Sequence, residues 1–353
     1  MQQITTGNAL NQPRFFPHDM TSLFDPVRLG EIELPNRIVM APSAGAWTVQ
    51  HRVPDDGMRA YYARRADAGL ILAGAASVSP LGIGHPDTPG IWNSAQAQAW
   101  RSVTDAVHRR GGRIVLQLWH AGRVSDPEYL SGEMPVAPSA IACGRGPCPQ
   151  AGGFVVPRSL RLDEIRRVIA DFEQAARHAW LAEFDGVEVH AGDGYLIDQF
   201  LHDGSNGRQD DYGGSVCKRS RFLLEIVDAC AGIWGAGRVG VHLSPRGDRH
   251  DMRDSDPAAL YRHVARELGQ RRAAFICVRE HEGADALAPV IRDAFSGALV
   301  LSEGYDPDSA LRAVQAERGE AVAFGRAFVR NPDLVRRIRD GLPLVPEAAA
   351  GGL

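Results

Sequence analysis

Short aliphatic runs recur along the chain, and each is followed by a segment with helical periodicity. Eight runs are typical of strands: RIVMAPS from Arg37, GLILAGAASVS from Gly69, RIVLQLWHA from Arg113, GVEVHAG from Gly186, RVGVHLSP from Arg238, AFICVRE from Ala274, GALVLSEG from Gly297 and AVAFGRAF from Ala321. Between them, apolar residues return every three to four positions, which predicts helices with one buried face. Eight strands that alternate with helices predict a (β/α)8 TIM barrel. The competing open sheet usually carries a G-x-G-x-x-G turn after its first strand, and this sequence has none.

Two segments depart from a plain barrel. The run DPVRLGEIELPN predicts an N-terminal hairpin, with Leu29 and Gly30 near its turn, that closes the lower end of the barrel. The connection from Gly122 to Pro157 is long and rich in Pro and Gly, and such insertions after a barrel strand commonly cover the active site. We expect residues 23–342 to form one barrel domain, between an N-terminal tail of residues 1–22 and a C-terminal tail of residues 343–353.

Composition excludes several classes of protein. The chain has 353 residues, with 39 basic and 43 acidic side chains and a net charge of −4, so no basic excess indicates nucleic-acid binding. No run approaches the ~20 apolar residues that span a bilayer. The five cysteines lack a C-x-x-C pair and give no zinc signature, so we expect no metal. These features predict a cytoplasmic protein that binds a small-molecule substrate, without a membrane or nucleic-acid partner, and a homo-oligomer is compatible with them.

Candidate chemistry lies where the strands end, because TIM-barrel active sites are built at the carboxyl ends of the strands. Polar residues follow several of these ends: Gln117, Trp119, His120, His190, Asp193, Tyr195, His242, Arg246 and Arg326. A single histidine at a strand end is more often structural, but here several face one mouth. Glycines end the last two strands in SEG and FGR, which is typical of a phosphate site on backbone N–H groups, with Arg326 supplying charge.

Several motifs, taken together, resemble one family. They are GVEVHAGDGYLIDQFLHDGSNGRQDDYGGS, LFDPVRLGEIELPNRIVMAP, VSPLGIGHPDTPGIW, GRIVLQLWHAGR and AFGRAFVRNPDL. In order and spacing they resemble the Old Yellow Enzyme family of FMN-dependent ene-reductases, from about Leu23 to Leu342. The resemblance implies a barrel that contains FMN, takes hydride from NAD(P)H and passes it to the β-carbon of an enone. It also implies that a His with an Asn or second His holds the carbonyl oxygen, and that a Tyr protonates the α-carbon.

The catalytic motif of the family is changed at one position. The pattern H-x-x-N-x-Y is here HAGDGY, which makes His190, Asp193 and Tyr195 the candidate catalytic residues. Negative charge that builds on an enone oxygen must be stabilised by donors fixed beforehand. An ionised Asp193 only accepts hydrogen bonds and repels an oxyanion, although it is also placed to keep His190 protonated or to act as a base.

The resemblance also places the flavin contacts. They fall on Pro42, Ser43, Ala44, Ala75, Gln117, His242, Glu303, Gly304, Gly325 and Arg326. Three of them depart from the family: Ala44 lacks the side chain that bonds the flavin edge, His242 replaces an arginine, and Glu303 replaces a glycine where the phosphate approaches. A protonated His242 would substitute in part for the arginine. We therefore expect weak FMN binding.

Three functions remain open from the sequence. The first is an NAD(P)H- and FMN-dependent reductase of an activated C=C bond. The second is a family member deficient in FMN that uses the same pocket for acid–base chemistry, such as isomerisation, cyclisation or elimination. The third is a binding protein without catalysis. Fold does not separate them, because function resides in the site.

Overall fold

The computed structural model describes residues 21–42, 50–144, 153–247 and 249–346. The predicted contacts Ser43 and Ala44, residues 1–20 of the N-terminal tail and residues 347–353 of the C-terminal tail lie outside them. The strands are β1 (Val27–Leu29), β2 (Ile32–Leu34), β3 (Ile38–Met40), β4 (Leu70–Ser77), β5 (Ile114–Trp119), β6 (Val136–Ala137), β7 (Arg158–Ser159), β8 (Gly186–His190), β9 (Val239–Leu243), β10 (Phe275–Arg279), β11 (Ala298–Ser302) and β12 (Ala321–Phe324).

Eight of these strands close into a parallel barrel in the order β3, β4, β5, β8, β9, β10, β11, β12, and β12 pairs again with β3. They are the eight runs predicted from the sequence, so the (β/α)8 fold is confirmed. Neighbouring strands place their polar residues side by side. Gln117 pairs in register with Glu188, and His190 pairs with His242. The register therefore brings these side chains together at one end of the barrel.

Helices surround the barrel: α1 (Asp56–Ala63), α2 (Ser94–His108), α3 (Leu162–Leu181), α4 (Leu196–Leu201), α5 (Val216–Trp234), α6 (Pro257–Gln270), α7 (Ala288–Ala294), α8 (Pro307–Gln315), α9 (Arg326–Arg330) and α10 (Leu334–Arg339). Helix α3 shows why they form. The Glu164 carboxylate accepts a hydrogen bond of 2.9 Å from the backbone N–H of Arg161 at its start, and Ile165 and Phe172 on its apolar stripe are fully buried. Among the described helices, none is long and apolar enough to cross a membrane.

The N-terminal hairpin plugs the bottom of the barrel. Strands β1 and β2 pair antiparallel, and Leu29 and Leu34 are buried in one cluster with the lower barrel residues Leu72 and Phe275. Gly30 turns the chain with a φ of +59°, and a Cβ there would lie 2.5 Å from the carbonyl oxygen of Gly237. The prediction that this hairpin closes the lower end is confirmed.

The long connection after β5 is anchored to the upper end of the barrel. Strand β6 lies within it and pairs with β7, which follows the connection directly; the sequence pattern predicted neither strand. The buried guanidinium of Arg123 donates hydrogen bonds to the carbonyl oxygens of Ile141 at 3.2 Å and His250 at 2.8 Å. The ring of Phe154 meets the ring of His250 edge-on at 5.9 Å. The described parts of the connection therefore contact the loop that follows β9.

Candidate functional site at the mouth of the barrel

The loop after β8 is held in a defined shape. Asp193 and Gly194 both adopt left-handed backbone conformations, with φ of +57° and +78°. The backbone N–H of Asp193 donates to Ser244 Oγ at 2.6 Å, and the N–H of Gly194 donates to Asp198 Oδ2 at 2.8 Å. The ring of His250 donates from Nδ1 to the carbonyl oxygen of Asp193 at 2.7 Å. These bonds fix where the side chains of the HAGDGY motif point.

His190 and Tyr195 lie together at the mouth. Their rings meet edge-on, with centroids 5.1 Å apart, and the ring of Tyr195 also meets Trp119 edge-on at 5.0 Å. The ring of His250 contacts Tyr195 at 5.6 Å. Burial raises the pKa of Tyr195 well above its ordinary range, and the charge of Asp193 adds to this effect. Tyr195 is therefore a neutral phenol that gives up its proton only to a strong base.

His190 is a neutral hydrogen-bond donor. Burial, together with smaller effects of His242 and Arg279, lowers its pKa to about 3 despite the opposing effect of Asp193. Its Nδ1 accepts a hydrogen bond of 3.3 Å from the backbone N–H of Gly192, so the ring proton resides on Nε2. The hypothesis that Asp193 keeps His190 protonated is therefore wrong, because burial outweighs the single carboxylate.

Asp193 has a partner that the sequence pattern did not indicate. One carboxylate oxygen accepts a hydrogen bond from Nη1 of Arg279, the last residue of β10, and the other lies 3.8 Å from His190 Nε2. Burial raises the pKa of Asp193, but His190, His242 and Arg279 lower it more, so the net shift is downward. The carboxylate is ionised, and its charge is balanced by an arginine.

Below these residues lies a buried polar group of Gln117, Glu188 and His242. Gln117 donates from Nε2 to Glu188 Oε2 at 2.7 Å, and the other carboxylate oxygen lies 4.0 Å from His242 Nδ1. Burial raises the pKa of Glu188 to about 8 and lowers the pKa of His242. The expectation that a protonated His242 replaces an arginine is therefore wrong, because desolvation keeps the ring neutral. Within the described chain, both ring nitrogens of His242 and Glu188 Oε1 are buried without a hydrogen-bond partner.

The other predicted flavin contacts lie at or near the carboxyl ends of further barrel strands. At the ends of β3, β4 and β12, Pro42, Ala75 and Gly325 are partly accessible, and Arg326 begins α9 with an exposed side chain. At the end of β11, Glu303 and Gly304 have φ of +83° and +82°. The Glu303 carboxylate accepts a hydrogen bond of 3.0 Å from Arg279 Nη2 and lies 3.5 Å from His281 Nε2. Glu303 and Asp193 therefore share the positive charge of one guanidinium.

Sequence reasoning missed two residues of the mouth. Glu188 precedes His190 by two positions on β8, and strand alternation places both side chains on one face, so the pattern contained this signal. Arg279 ends β10 as the other candidates end their strands, so the rule of polar strand ends also applies to it. Conversely, Arg246 lies outside the cluster, because Glu280 and Asp285 hold it at 3.0 and 2.5 Å. His120 is buried, and its Nδ1 accepts a hydrogen bond of 3.1 Å from the N–H of Gly122.

The mouth also contains ligand types that bind metals. The ligand atoms of His190, Asp193 and His242 lie within 4.8 Å of one another. The guanidinium of Arg279 bonds directly to Asp193. A positive charge fixed on one of the potential ligands repels a divalent metal ion. The arrangement is better suited to hydrogen bonding with an organic ligand than to a metal.

Comparison with known proteins identifies the relatives of this chain. A family model described as the NADH:flavin oxidoreductase / NADH oxidase family matches residues 22–345. The 12-oxophytodienoate reductase 1 of Oryza sativa subsp. japonica is 39% identical over 336 residues, which cover 91% of this chain and 87% of the relative. The chanoclavine-I aldehyde reductase of Penicillium roqueforti is 40% identical over 344 residues, which cover 93% of this chain and 91% of the relative.

Solved structures give the same result. Morphinone reductase in complex with tetrahydroNAD superposes with a TM-score of 0.88 at 41% identity, over 92% of both chains. The Old Yellow Enzyme homologue from Zymomonas mobilis superposes with a TM-score of 0.88 at 41% identity, over 93% of this chain and 95% of the other. The family expected from the sequence motifs is confirmed.

Proposed function

The chain belongs to the NADH:flavin oxidoreductase / NADH oxidase family, and on this premise we propose that its barrel mouth reduces a C=C bond conjugated to a carbonyl group, with His190 and Tyr195 as the acting residues. The protein is an oxidoreductase of the Old Yellow Enzyme type, with FMN as cofactor and NAD(P)H as reductant. The observation that carries the proposed residue roles is the contact between the neutral His190 and the protonated Tyr195 at the carboxyl end of β8.

The residues of the mouth fit FMN. The two ring nitrogens of His242 and Glu188 Oε1 are buried polar atoms without a partner in the described chain, and the polar edge of a flavin supplies such partners. Gln117 and His242 would hold that edge, while Gly304, Gly325 and Arg326 would hold the phosphate. Glu303 does not prevent this, because Arg279 pairs with its carboxylate. FMN, once reduced by NAD(P)H, supplies hydride for the β-carbon of the substrate.

The chain supplies the donors that make the carbon accept hydride. His190 donates from Nε2–H to the substrate carbonyl oxygen, where negative charge develops in the transition state. Because this histidine is neutral, it stabilises that charge by hydrogen bonding and does not transfer its proton at neutral pH. Tyr195 then protonates the α-carbon, and its raised pKa suits a donor to a strongly basic carbon. The rings of Trp119 and His250 limit the access of water to this phenol.

Acid–base chemistry without FMN is not favoured, since the named relatives are reductases. The reductase function is tested on the purified protein. We expect flavin absorbance bands, bleaching of these bands by NADPH without oxygen, and their return when 2-cyclohexenone is added, with one saturated ketone formed per flavin reoxidised. A colourless protein that FMN does not reconstitute, and that leaves the enone unreduced, would contradict the proposal.

We further propose a cytoplasmic enzyme with a small organic substrate. Within the described residues, Cys143, Cys217, Cys230 and Cys277 are free thiols, as expected in a reducing compartment. Fractionation of the producing cells tests this location. Recovery of the protein from an oxidising compartment would contradict it.

A further inference from the structure

Arg279 joins two positions at which the chain departs from its family. Its Nη1 donates to the Asp193 carboxylate, and its Nη2 donates to Glu303 Oε1 at 3.0 Å. The side chain of Arg279 is 17% exposed, and it lines a cavity of about 320 Å³ whose other lining residues include Ser244, Arg246, Arg249 and Glu303. One arginine therefore bridges both carboxylates and also faces open space at the mouth.

This bridge reduces an electrostatic repulsion at the site. A substrate oxyanion beside His190 lies next to the ionised Asp193, and two like charges at close range repel each other strongly in a buried site. Arg279 contributes the opposite charge at the same carboxylate. Its charge also lowers the pKa of His190 and opposes the rise in the pKa of Tyr195, so its field reaches both proposed acting residues.

The guanidinium has N–H donors that its two carboxylate contacts do not use. It carries five N–H groups in a planar fork, and the two carboxylate contacts occupy one group on each terminal nitrogen. Asp193, by contrast, only accepts. In the family motif H-x-x-N-x-Y, the Asn supplies a hydrogen-bond donor. Asp193 stands at this position and supplies none, and Arg279 is the residue bonded to its side chain.

We propose that Arg279 is an oxyanion-binding residue, which with His190 holds the carbonyl oxygen of the substrate, and that Asp193 and Glu303 are positioning residues that hold the guanidinium. The inference rests on the proposed reductase function. It assigns the second hydrogen-bond donor to the substrate oxygen to Arg279, at the end of β10. Asp193, which the motif made a candidate catalytic residue, is then a positioning residue.

The test compares three variants with the parent holoenzyme. Because Arg279→Met also removes the partner of Glu303 beside the phosphate site, all variants are measured with saturating FMN. Under this condition Arg279→Met should slow flavin reoxidation by 2-cyclohexenone about 100-fold, as removal of one oxyanion donor does elsewhere, while flavin reduction by NADPH stays within about twofold. Arg279→Lys should retain part of the rate, because it keeps the charge and loses the fork. Asp193→Asn combined with Arg279→Met should recover at least tenfold over Arg279→Met, because it removes the unbalanced carboxylate and adds an amide donor.

Arg271→Met is the matched control, because Arg271 also bridges two carboxylates, Asp228 and Glu267 at 2.9 and 2.8 Å, on the outer helices. It should leave both half-reactions unchanged. Parent-like reoxidation in Arg279→Met, or no recovery in the double variant, would overturn the inference.

A binding measurement separates this inference from the proposed function. A stable phenolate, 4-nitrophenolate, presents an oxyanion without turnover, and its absorbance reports binding. Arg279→Met should weaken its binding at least tenfold, and Arg271→Met should not. If the parent does not reduce enones, the proposed function fails, while the phenolate still decides whether Arg279 binds an oxyanion. Equal phenolate affinity in the parent and Arg279→Met would exclude that role.

Discussion

The ring of Tyr195 meets the ring of His190 edge-on, with centroids 5.1 Å apart. His190 ends strand β8 and Tyr195 follows it, yet the two residues have different roles. The histidine is kept neutral with its proton on Nε2, and the phenol is kept protonated, both because burial disfavours the charged form. The pair thus offers a hydrogen-bond donor and a proton donor side by side.

Replacing either member of this pair should impair the oxidative half-reaction. We expect His190→Ala and Tyr195→Phe each to slow enone-dependent flavin reoxidation about 100-fold or more, because a positioned donor or acid contributes about that much. Flavin reduction by NADPH should change little in Tyr195→Phe. Stopped-flow absorbance of the two half-reactions measures both rates.

Tyr212→Phe is the control for the pair. The Tyr212 hydroxyl donates to Glu225 of α5 at 2.8 Å. This variant should keep the parent rates. If both His190→Ala and Tyr195→Phe turn over like the parent, the assignment of roles is wrong.

Flavin affinity should rise when two family contacts are restored. Glu303→Gly removes a carboxylate and a Cβ from the phosphate end, and His242→Arg places a permanent cation beside Glu188. We expect each change to tighten FMN binding roughly tenfold, about 1.4 kcal/mol, and the two to be roughly additive because one acts on the phosphate and the other on the flavin ring. Fluorescence titration of FMN into apoprotein measures the affinity.

Glu317→Gly is the matched control, since Glu317 also has a positive φ, of +55°, and is exposed. It should leave FMN affinity unchanged. No gain in the double variant, with the protein still folded, would show that these contacts do not limit binding.

The buried Glu188 should make stability depend on pH. Its pKa is raised from 4.5 to about 8, so between these values the folded chain holds a proton that the unfolded chain releases. The free energy of unfolding therefore falls as pH rises through this window, by at most about 1.4 kcal/mol per pH unit. Glu188→Gln should remove this slope, and Glu282→Gln, an exposed control, should not. Urea unfolding at several pH values between 5 and 8 measures it, and equal slopes in Glu188→Gln and the parent would contradict the burial argument.

The hairpin plug should contribute to stability without affecting the site. Leu29→Ala should lower the free energy of unfolding by about 2–5 kcal/mol, because Leu29 is fully buried at the bottom of the barrel. Leu181→Ala is the control, since Leu181 is 52% exposed, and should cost less than about 0.5 kcal/mol. A change in the flavin spectrum of folded Leu29→Ala would indicate that the plug and the mouth are coupled.

The barrel was predictable because its signals are local. Each strand is a short aliphatic run between turn residues, and the rule that sites lie at strand ends brought Gln117, His190 and Tyr195 into one candidate set. The pairing of Asp193 with Arg279 was not predictable, since the two residues are 86 positions apart and an arginine at a strand end has many partners. The neutral state of His242 was missed for a similar reason, because its pKa depends on burial, which the sequence does not state.

The most direct test of the account follows the two hydrogens that reach the substrate. The holoenzyme reduces 2-cyclohexenone with NADPH deuterated at the transferred position in ordinary water, and then with ordinary NADPH in D2O. We predict deuterium at the β-carbon in the first experiment and at the α-carbon in the second, with formation of the α-labelled product slowed about 100-fold in Tyr195→Phe. Deuterium from the solvent at the β-carbon, or an α-label formed at the parent rate in Tyr195→Phe, would contradict the account.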